Sequence, residues 1–376
     1  MSTIKRGPKP VSGRNPLAMD EQNILEVTGL KTHFFTDDGV VKAVDGADFV
    51  VPEGKIVAVV GESGSGKSVS ARSVMRLVDK PGEVVEGSIL WRTRDGDVKD
   101  IATLPENGNE IRGIRGRDIA MIFQEPMASL SPVHKIGKQM TEMIRLHLGL
   151  DKTEAMERAI EMLKRVDMPK AETRFDSYTF ELSGGMRQRA MIAMALSCEP
   201  RMLIADEPTT ALDVTTQATI IDLIMDLKEQ MGLSVIFITH DLGVVAEIAD
   251  EVAVMYLGTV VERADVYSLF ENPKHPYTKA LLQSIPQLGL EERHRLRAIR
   301  GMVPDPFRRP RGCPFHDRCD EFMPGVCDEI VPPMEHLEDD RSVRCLLYSD
   351  VDTLRREAAT AREAQADGEA TTGADE

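Results

Sequence analysis

Between Gly61 and Ser68 the chain reads Gly-Glu-Ser-Gly-Ser-Gly-Lys-Ser, a spacing that can hold a phosphate chain. Glycines allow the backbone to curl so that successive N–H groups converge on one anion. The helix expected to open there adds the positive end of its dipole. Over Gly61, Glu62, Ser63, Gly64, Ser65, Gly66, Lys67, Ser68 and Val69 the pattern predicts a nucleoside-triphosphate loop. In it, Lys67 reaches the β- and γ-phosphates and the Ser68 hydroxyl faces Mg²⁺. A second acidic element lies far downstream: Arg201-Met-Leu-Ile-Ala-Asp206-Glu207 is an apolar run ending in two carboxylates. Asp206 is expected to hold Mg²⁺, and Glu207, turned to another face, to polarise an attacking water. No Asn-Lys-x-Asp sequence occurs, which excludes a guanine-selective GTPase.

The surrounding pattern supplies elements that can position these groups. Lys55–Val60 is a short continuous apolar run suited to a buried parallel strand, directly before the Gly-rich loop. Ile24 to Pro52 alternates as two strands about an Asp-Asp-Gly turn. Residues 84–123 resume strand character, with a polar middle at Asp95–Asn109 expected to be a loop insertion. Ile136 to about Met168 repeats apolar residues at helical spacing. After residue 200, strands and helices alternate, which implies a parallel sheet covered on both faces. The fold class is therefore α/β: a P-loop ATPase with a parallel sheet core and an antiparallel β subdomain.

Composition sets outer bounds. The 376 residues suggest two or three units, and 42% apolar residues allow a sizeable core. A net charge of −16 argues against a general nucleic-acid binder. No run reaches the ~18–20 apolar residues of a bilayer span, and the start lacks the apolar centre of a secretory signal. A cytosolic chain, peripheral to any membrane, is the expectation. Residues 1–22 read as a disordered basic arm and 349–376, with eight acids against three Arg, as a disordered acidic tail.

Phe180-Glu-Leu182-Ser183-Gly184-Gly185-Met-Arg-Gln188-Arg189, between the phosphate loop and the Asp-Glu strand, resembles the signature of ATP-binding-cassette ATPases. In such proteins the signature, here Leu182, Ser183, Gly184, Gly185 and Gln188, acts in trans on nucleotide held by a second cassette. The resemblance makes Gln124 the Q-loop residue and a Mg²⁺ ligand beside Ser68 and Asp206. It makes Asp213 the D-loop residue, His240 the switch histidine, and Phe34 the aromatic residue nearest adenine. VKAVDGADF, FQEPMASLSP, ADEPTTALDVTTQA and HPYTKALL narrow the resemblance to the ATPase subunits of dipeptide/oligopeptide importers, a group that also serves nickel and opines. It covers about residues 24–348. The implied layout is a nucleotide-binding domain over 23–270 with a helical signature subdomain at about 125–190, then a C-terminal extension over 271–348. The implied partners are a second cassette, a paralogue by family habit, two transmembrane permeases and an extracytoplasmic solute-binding protein. The implied location is the cytoplasmic face of the inner membrane. A soluble cassette ATPase acting on nucleic acid or ribosomes is the competing class. It would carry a long coiled coil or a second cassette on a basic linker, and neither is present.

Four of the five cysteines, Cys313, Cys319, Cys327 and Cys345, fall within the extension, separated by five, seven and seventeen residues. The spacing lacks the C-x2-4-C knuckle of structural zinc sites and matches no ferredoxin pattern, so it leaves the ligand open. The family resemblance implies a [4Fe-4S] cluster on these four thiolates; zinc and plain thiols are the alternatives. Cys198 is expected to be a small buried apolar residue.

Overall fold

The computed structural model describes residues 19–125, 129–210, 212–284 and 299–356. Most of the expected basic arm, most of the acidic tail and Ala211 lie outside them. In chain order, β1 (Asn23–Thr36) and β2 (Gly39–Pro52) form a hairpin, closed where Thr36 faces Gly39. β3 (Ile56–Val60) follows, then α1 (Lys67–Val74), β4 (Gly82–Arg92) and β5 (Val98–Asp100). The first four-stranded sheet has the order β2-β1-β4-β5 and is antiparallel throughout.

The expected loop at Asp95–Asn109 is shorter than its polarity suggests. Val98–Asp100 pairs with β4, and a 3-10 turn at Ile101–Thr103 buries Ile101. Asp100 explains the difference: one carboxylate oxygen accepts from the N–H groups of Ile89 and Ala102, fixing the segment to the sheet.

α2 (Asn109–Ile114) and β6 (Ile119–Ile122) lead into a helical block of α3 (Ile136–Leu148), α4 (Lys152–Arg165), α5 (Ala171–Phe175) and α6 (Gly184–Leu196). α4 opens on a capping box, Asp151 with Glu154. Its Ala155, Ala159, Met162 and Leu163 share one core with Met140 and Ile144 of α3 and Met191 of α6. Met140 and Met162, both buried, fill this core.

β7 (Met202–Asp206), α7 (Val214–Met231), β8 (Ser234–Ile238), α8 (Leu242–Ile248), β9 (Glu251–Tyr256) and β10 (Thr259–Asp265) complete the alternation. Strands β9-β3-β8-β7-β6 are parallel neighbours. Every residue of β3, β7 and β8 is buried, as a sheet covered on both faces requires.

After α9 (Val266–Glu271), the extension opens with α10 (Pro276–Gln283) and is built into this sheet. Its two short strands, β11 (Glu335–His336) and β12 (Ser342–Val343), continue the order as β11-β12-β10-β9. Phe315 is buried against Tyr256 of β9 and Tyr277 of α10, with ring centroids 5.2 and 5.4 Å away. Val326, Cys327 and Leu346 make a further small apolar cluster, joined by Val351 and Leu354. The extension therefore has apolar anchorage that its Pro- and Arg-rich composition conceals. The described start of the tail is also placed, since residues 351–356 are helical and carry Val351 and Leu354 into that cluster. Among the described residues, no helix is long and apolar enough to cross a membrane.

Candidate functional site

The phosphate loop leaves β3 and enters α1 directly. Gly66 stands at the helix N-cap with φ 99°. A Cβ there would lie 2.4 Å from the Ala43 carbonyl oxygen, and one on Gly61 would lie 2.2 Å from that of Met255. Both positions must be glycine because the neighbouring backbone crosses the loop, independently of any ligand. Lys67 is buried and donates to the carbonyls of Gly61 (2.8 Å) and Glu62 (3.1 Å), tying the loop into its curl. Burial lowers its pKa from the usual lysine range, opposed by the carboxylates of Glu207, Asp206 and Glu62. Ser65, 3% exposed, has a hydroxyl with no protein partner. A buried orphan hydroxyl within a nest of N–H groups fits a polyoxyanion ligand.

Asp206 ends β7 and accepts from the Ser68 hydroxyl at 2.8 Å, so the two side chains expected to share Mg²⁺ meet. Burial raises the Asp206 carboxyl pKa, and the Ser68 hydrogen bond opposes it. A divalent cation favours the ionised form, so this hydroxyl and carboxylate fit a hard metal with oxygen ligands. Glu207 turns out of the strand with φ 45°, its N–H donating to the carbonyl of Ile238 (2.9 Å). Its carboxylate is then held from three sides. Gln124 Nε2 donates to Oε2 at 3.1 Å, the Thr210 hydroxyl donates to the same oxygen at 2.8 Å, and His240 Nδ1 lies 3.5 Å from Oε1. Gln124 arrives just after β6 and His240 just after β8, the strands on either side of β7. Parallel strands bring their C-terminal ends to one edge, and this is where open α/β sheets bind ligands. Thr210 was not anticipated from the sequence, although it stands only three residues past Glu207.

The signature residues lie elsewhere. Ser183 caps α6, its hydroxyl accepting from the Met186 N–H at 3.4 Å. Among the described residues no hydrogen bond joins Leu182, Ser183, Gly184, Gly185 or Gln188 to Lys67, Asp206 or Glu207. The signature abuts the start of α7 instead. A Cβ on Gly184 would meet Leu212 at 3.8 Å and one on Gly185 would meet Thr216 at 3.0 Å. Asp213 caps α7 through the Thr216 N–H (3.0 Å) and hydroxyl (2.7 Å), so Thr216 stands between Asp213 and Gly185. Gln188 is buried, and its Nε2 has no partner. Phe34 is half-buried against Gly82, where a Cβ would come within 2.7 Å of its ring, whereas Phe35 is 48% exposed.

Cys313, Cys319, Cys327 and Cys345 all line one small cavity, together with His275, Phe315 and His316. None is in a disulfide. Burial raises the Cys313 thiol to about 12 and the Cys319 thiol to about 11, and pushes Cys345 up as well. Among the described residues no three His, Cys, Asp or Glu side chains adopt the geometry of a single metal ion. Cys198 is buried apart from them.

Two extension residues reach the phosphate loop, and sequence reasoning missed both. The Tyr277 hydroxyl accepts from the Glu62 N–H at 2.9 Å. Arg318 donates to both Glu62 carboxylate oxygens, at 2.7 and 3.0 Å.

A Gly-rich loop between a buried strand and a helix, a paired Asp-Glu at the next strand but one in the sheet, and a helical block carrying Leu-Ser-Gly-Gly define a cassette-type P-loop ATPase. Comparison with known proteins agrees. The profile of the ABC transporter family matches residues 44–210, and that of the oligopeptide/dipeptide transporter C-terminal region matches 261–327. A putative peptide import ATP-binding protein of Brucella abortus is 49% identical over 339 residues, spanning 89% of this chain and 99% of that one. The oligopeptide transport ATP-binding protein AppD of Bacillus subtilis is 49% identical over 328 residues, 87% of this chain and 97% of its own. A solved dimeric bacterial ABC transporter cassette, MJ0796, superposes with a TM-score of 0.56 at 25% identity, covering 64% of this chain and 98% of that one. The chain belongs to the ATP-binding subunits of ABC transporters, in the group that carries the oligopeptide/dipeptide C-terminal region.

Proposed function

We propose that this protein is the ATP-hydrolysing subunit of a membrane importer for di- or oligopeptides or related small solutes. The observation that carries the reading is the convergence of Gln124, Thr210 and His240 on the Glu207 carboxylate, with Ser68, Asp206 and Lys67 gathered at the neighbouring phosphate loop. Glu207 accepts a hydrogen bond from water and orients it in line with the γ-phosphorus. The new P–O bond forms to that water, the bond to the β-phosphate oxygen breaks, and the displaced proton passes to Glu207. Lys67 and backbone N–H groups of the Gly61–Val69 loop other than that of Glu62, which donates to Tyr277, neutralise the phosphate chain, and Phe34 offers a ring beside which adenine packs. Mg²⁺, held by Ser68, Asp206 and Gln124, supplies charge neutralisation when bound.

The signature completes a second site, on another cassette. In support, among the described residues it makes no hydrogen bond to Asp206 or Glu207, and the MJ0796 cassette of like fold is solved as a dimer. The names of the relatives support peptide import; in this reading the partners are two permeases and an extracytoplasmic binding protein, and the chain works at the cytoplasmic face of the membrane. The four cysteines are read as ligands of one iron–sulfur cluster. This is supported by thiols that share a cavity without a disulfide. Burial raises the pKa of the Cys313, Cys319 and Cys345 thiols, so loading a metal on them must release protons.

The test is reconstitution of the chain with its neighbouring-gene permeases and second cassette in vesicles. ATP hydrolysis and uptake of labelled peptide should both depend on peptide-loaded binding protein. Hydrolysis that ignores the permeases but responds to nucleic acid or ribosomes would overturn the reading.

A further inference from the structure

We propose that Arg318 and Tyr277, both carried by the C-terminal extension, are positioning residues for nucleotide binding: they hold Glu62 of the phosphate loop and cancel its charge beside the triphosphate. The inference rests on the ATP-site reading above.

Glu62 presents a difficulty within that reading. A loop built to receive a polyanion carries a carboxylate as its second residue, and like charges at close range oppose binding. Arg318 answers that difficulty. Its guanidinium grips both carboxylate oxygens in the paired geometry that makes such contacts strong. It is 5% exposed and lies 5.7 and 5.8 Å from the ring centres of Tyr256 and Phe315. Its Nε donates to the carbonyl of Arg300 (2.9 Å), and one Nη also reaches the Tyr256 hydroxyl (3.3 Å). With its donors so engaged and its plane walled by rings, the arginine has one orientation. Tyr277, fully buried, fixes the Glu62 backbone from the same side.

The consequence is directional. Without Arg318, the Glu62 carboxylate stays in the loop unneutralised, and ATP binding should suffer through its charge rather than through lost fold. Arg318 also ends the 3-10 turn His316–Arg318, which lies between Cys313 and Cys319.

The full-length chain is titrated with a fluorescent ATP analogue and Mg²⁺, and thermal unfolding is followed in parallel. Arg318→Met should weaken binding at least tenfold, and Arg318→Lys less. Adding Glu62→Gln to Arg318→Met should recover most of that loss, because the offending charge is gone. A brace with no electrostatic role would not be rescued in this way. Tyr277→Phe, which keeps the ring, should weaken binding several-fold, and it decides the matter should Arg318→Met fail to fold. Unchanged affinity in Arg318→Met, a double variant as weak as the single, or unchanged affinity in Tyr277→Phe would each overturn the proposal. A wild-type chain that binds no ATP would instead refute the underlying site reading.

Discussion

Replacing Glu207 by Gln separates geometry from charge at the reacting centre. The amide is isosteric, and its oxygen can accept from Thr210 and Gln124 as Oε2 does now, over 2.8 and 3.1 Å. Its nitrogen takes the position 3.5 Å from His240 Nδ1, where an imidazole nitrogen can accept. Every contact is therefore retained, and the substitution should move stability by no more than about 0.5 kcal/mol. The loss is the carboxylate that orients water and takes its proton. General-base contributions of about 10²- to 10⁴-fold correspond, at 1.36 kcal/mol per decade, to about 2.7–5.4 kcal/mol on the barrier. In the assembled transporter, phosphate release should fall by that factor while ATP affinity stays within a few-fold. The variant should accumulate as an ATP-loaded closed dimer, visible as a shift in size on gel filtration with Mg-ATP. Turnover within threefold of wild type would refute the assignment of Glu207, and loss of ATP affinity would mean that its neighbours depend on the charge itself.

Four further outcomes follow from the geometry. Gly185→Asp puts a carboxylate where a Cβ already meets Thr216 at 3.0 Å. It should abolish turnover in the assembled transporter yet leave ATP affinity of the isolated chain unchanged, as equilibrium titration would show. Burial raises the Asp206 pKa, so the folded state holds a proton that the unfolded chain has released, and stability falls as pH rises through the unfolded value. Asp206→Asn removes that cost, and without nucleotide it should melt above wild type at neutral pH while losing Mg²⁺-dependent hydrolysis. His275 caps α10 through the Tyr277 N–H at 3.0 Å, and burial lowers its pKa from 6.5 to about 3. The unfolded chain binds that proton first, so stability is lost as pH falls below 6.5, by about 2 kcal/mol at pH 5. His275→Asn should flatten this dependence in denaturant titrations at pH 5 and 7.5; an unaltered slope would count against it. Protein purified without oxygen should be brown and hold about four iron and four sulfide, and replacing any one of Cys313, Cys319, Cys327 or Cys345 should bleach it. One zinc in a colourless preparation would favour the zinc alternative instead.

The convergence of Gly61–Ser68 with Asp206-Glu207 at one sheet edge was legible because each is local in sequence. Gly61–Ser68, Asp206-Glu207 and Leu182–Gln188 are each a short run with its own spacing, and alternating strands and helices place the first two together. Thr210 escaped notice because a lone threonine after two acids has no pattern of its own. Arg318 and Tyr277 escaped for a different reason. Both lie in stretches that mark the extension, yet their partner is 256 and 215 residues away, and no periodicity encodes a contact of that range. The extension's anchorage was hidden likewise, since Phe315 finds its apolar neighbours on β9 and α10 rather than in its own segment. Asp100 shows the converse: a polar residue read as loop, where it serves as a backbone clamp.

The Glu62–Arg318 contact also bears on how the chain is made. Glu62 leaves the ribosome 256 residues before its partner, an interval of about 13–50 s at translation rates of ~5–20 residues per second. By the time His240 has emerged, Gly61–Ser68, Gln124, Asp206 and Glu207 have all been made, but Arg318, the proposed partner of Glu62, has not. The sheet edge at β10 likewise waits unpaired for Ser342–Val343. A nascent cassette in that interval should hold ATP poorly and be unready to close on a partner. On the proposed role of Arg318, nucleotide capture should await synthesis of the C-terminal extension, and ribosome-bound chains halted before residue 318 should bind ATP more weakly than the finished subunit.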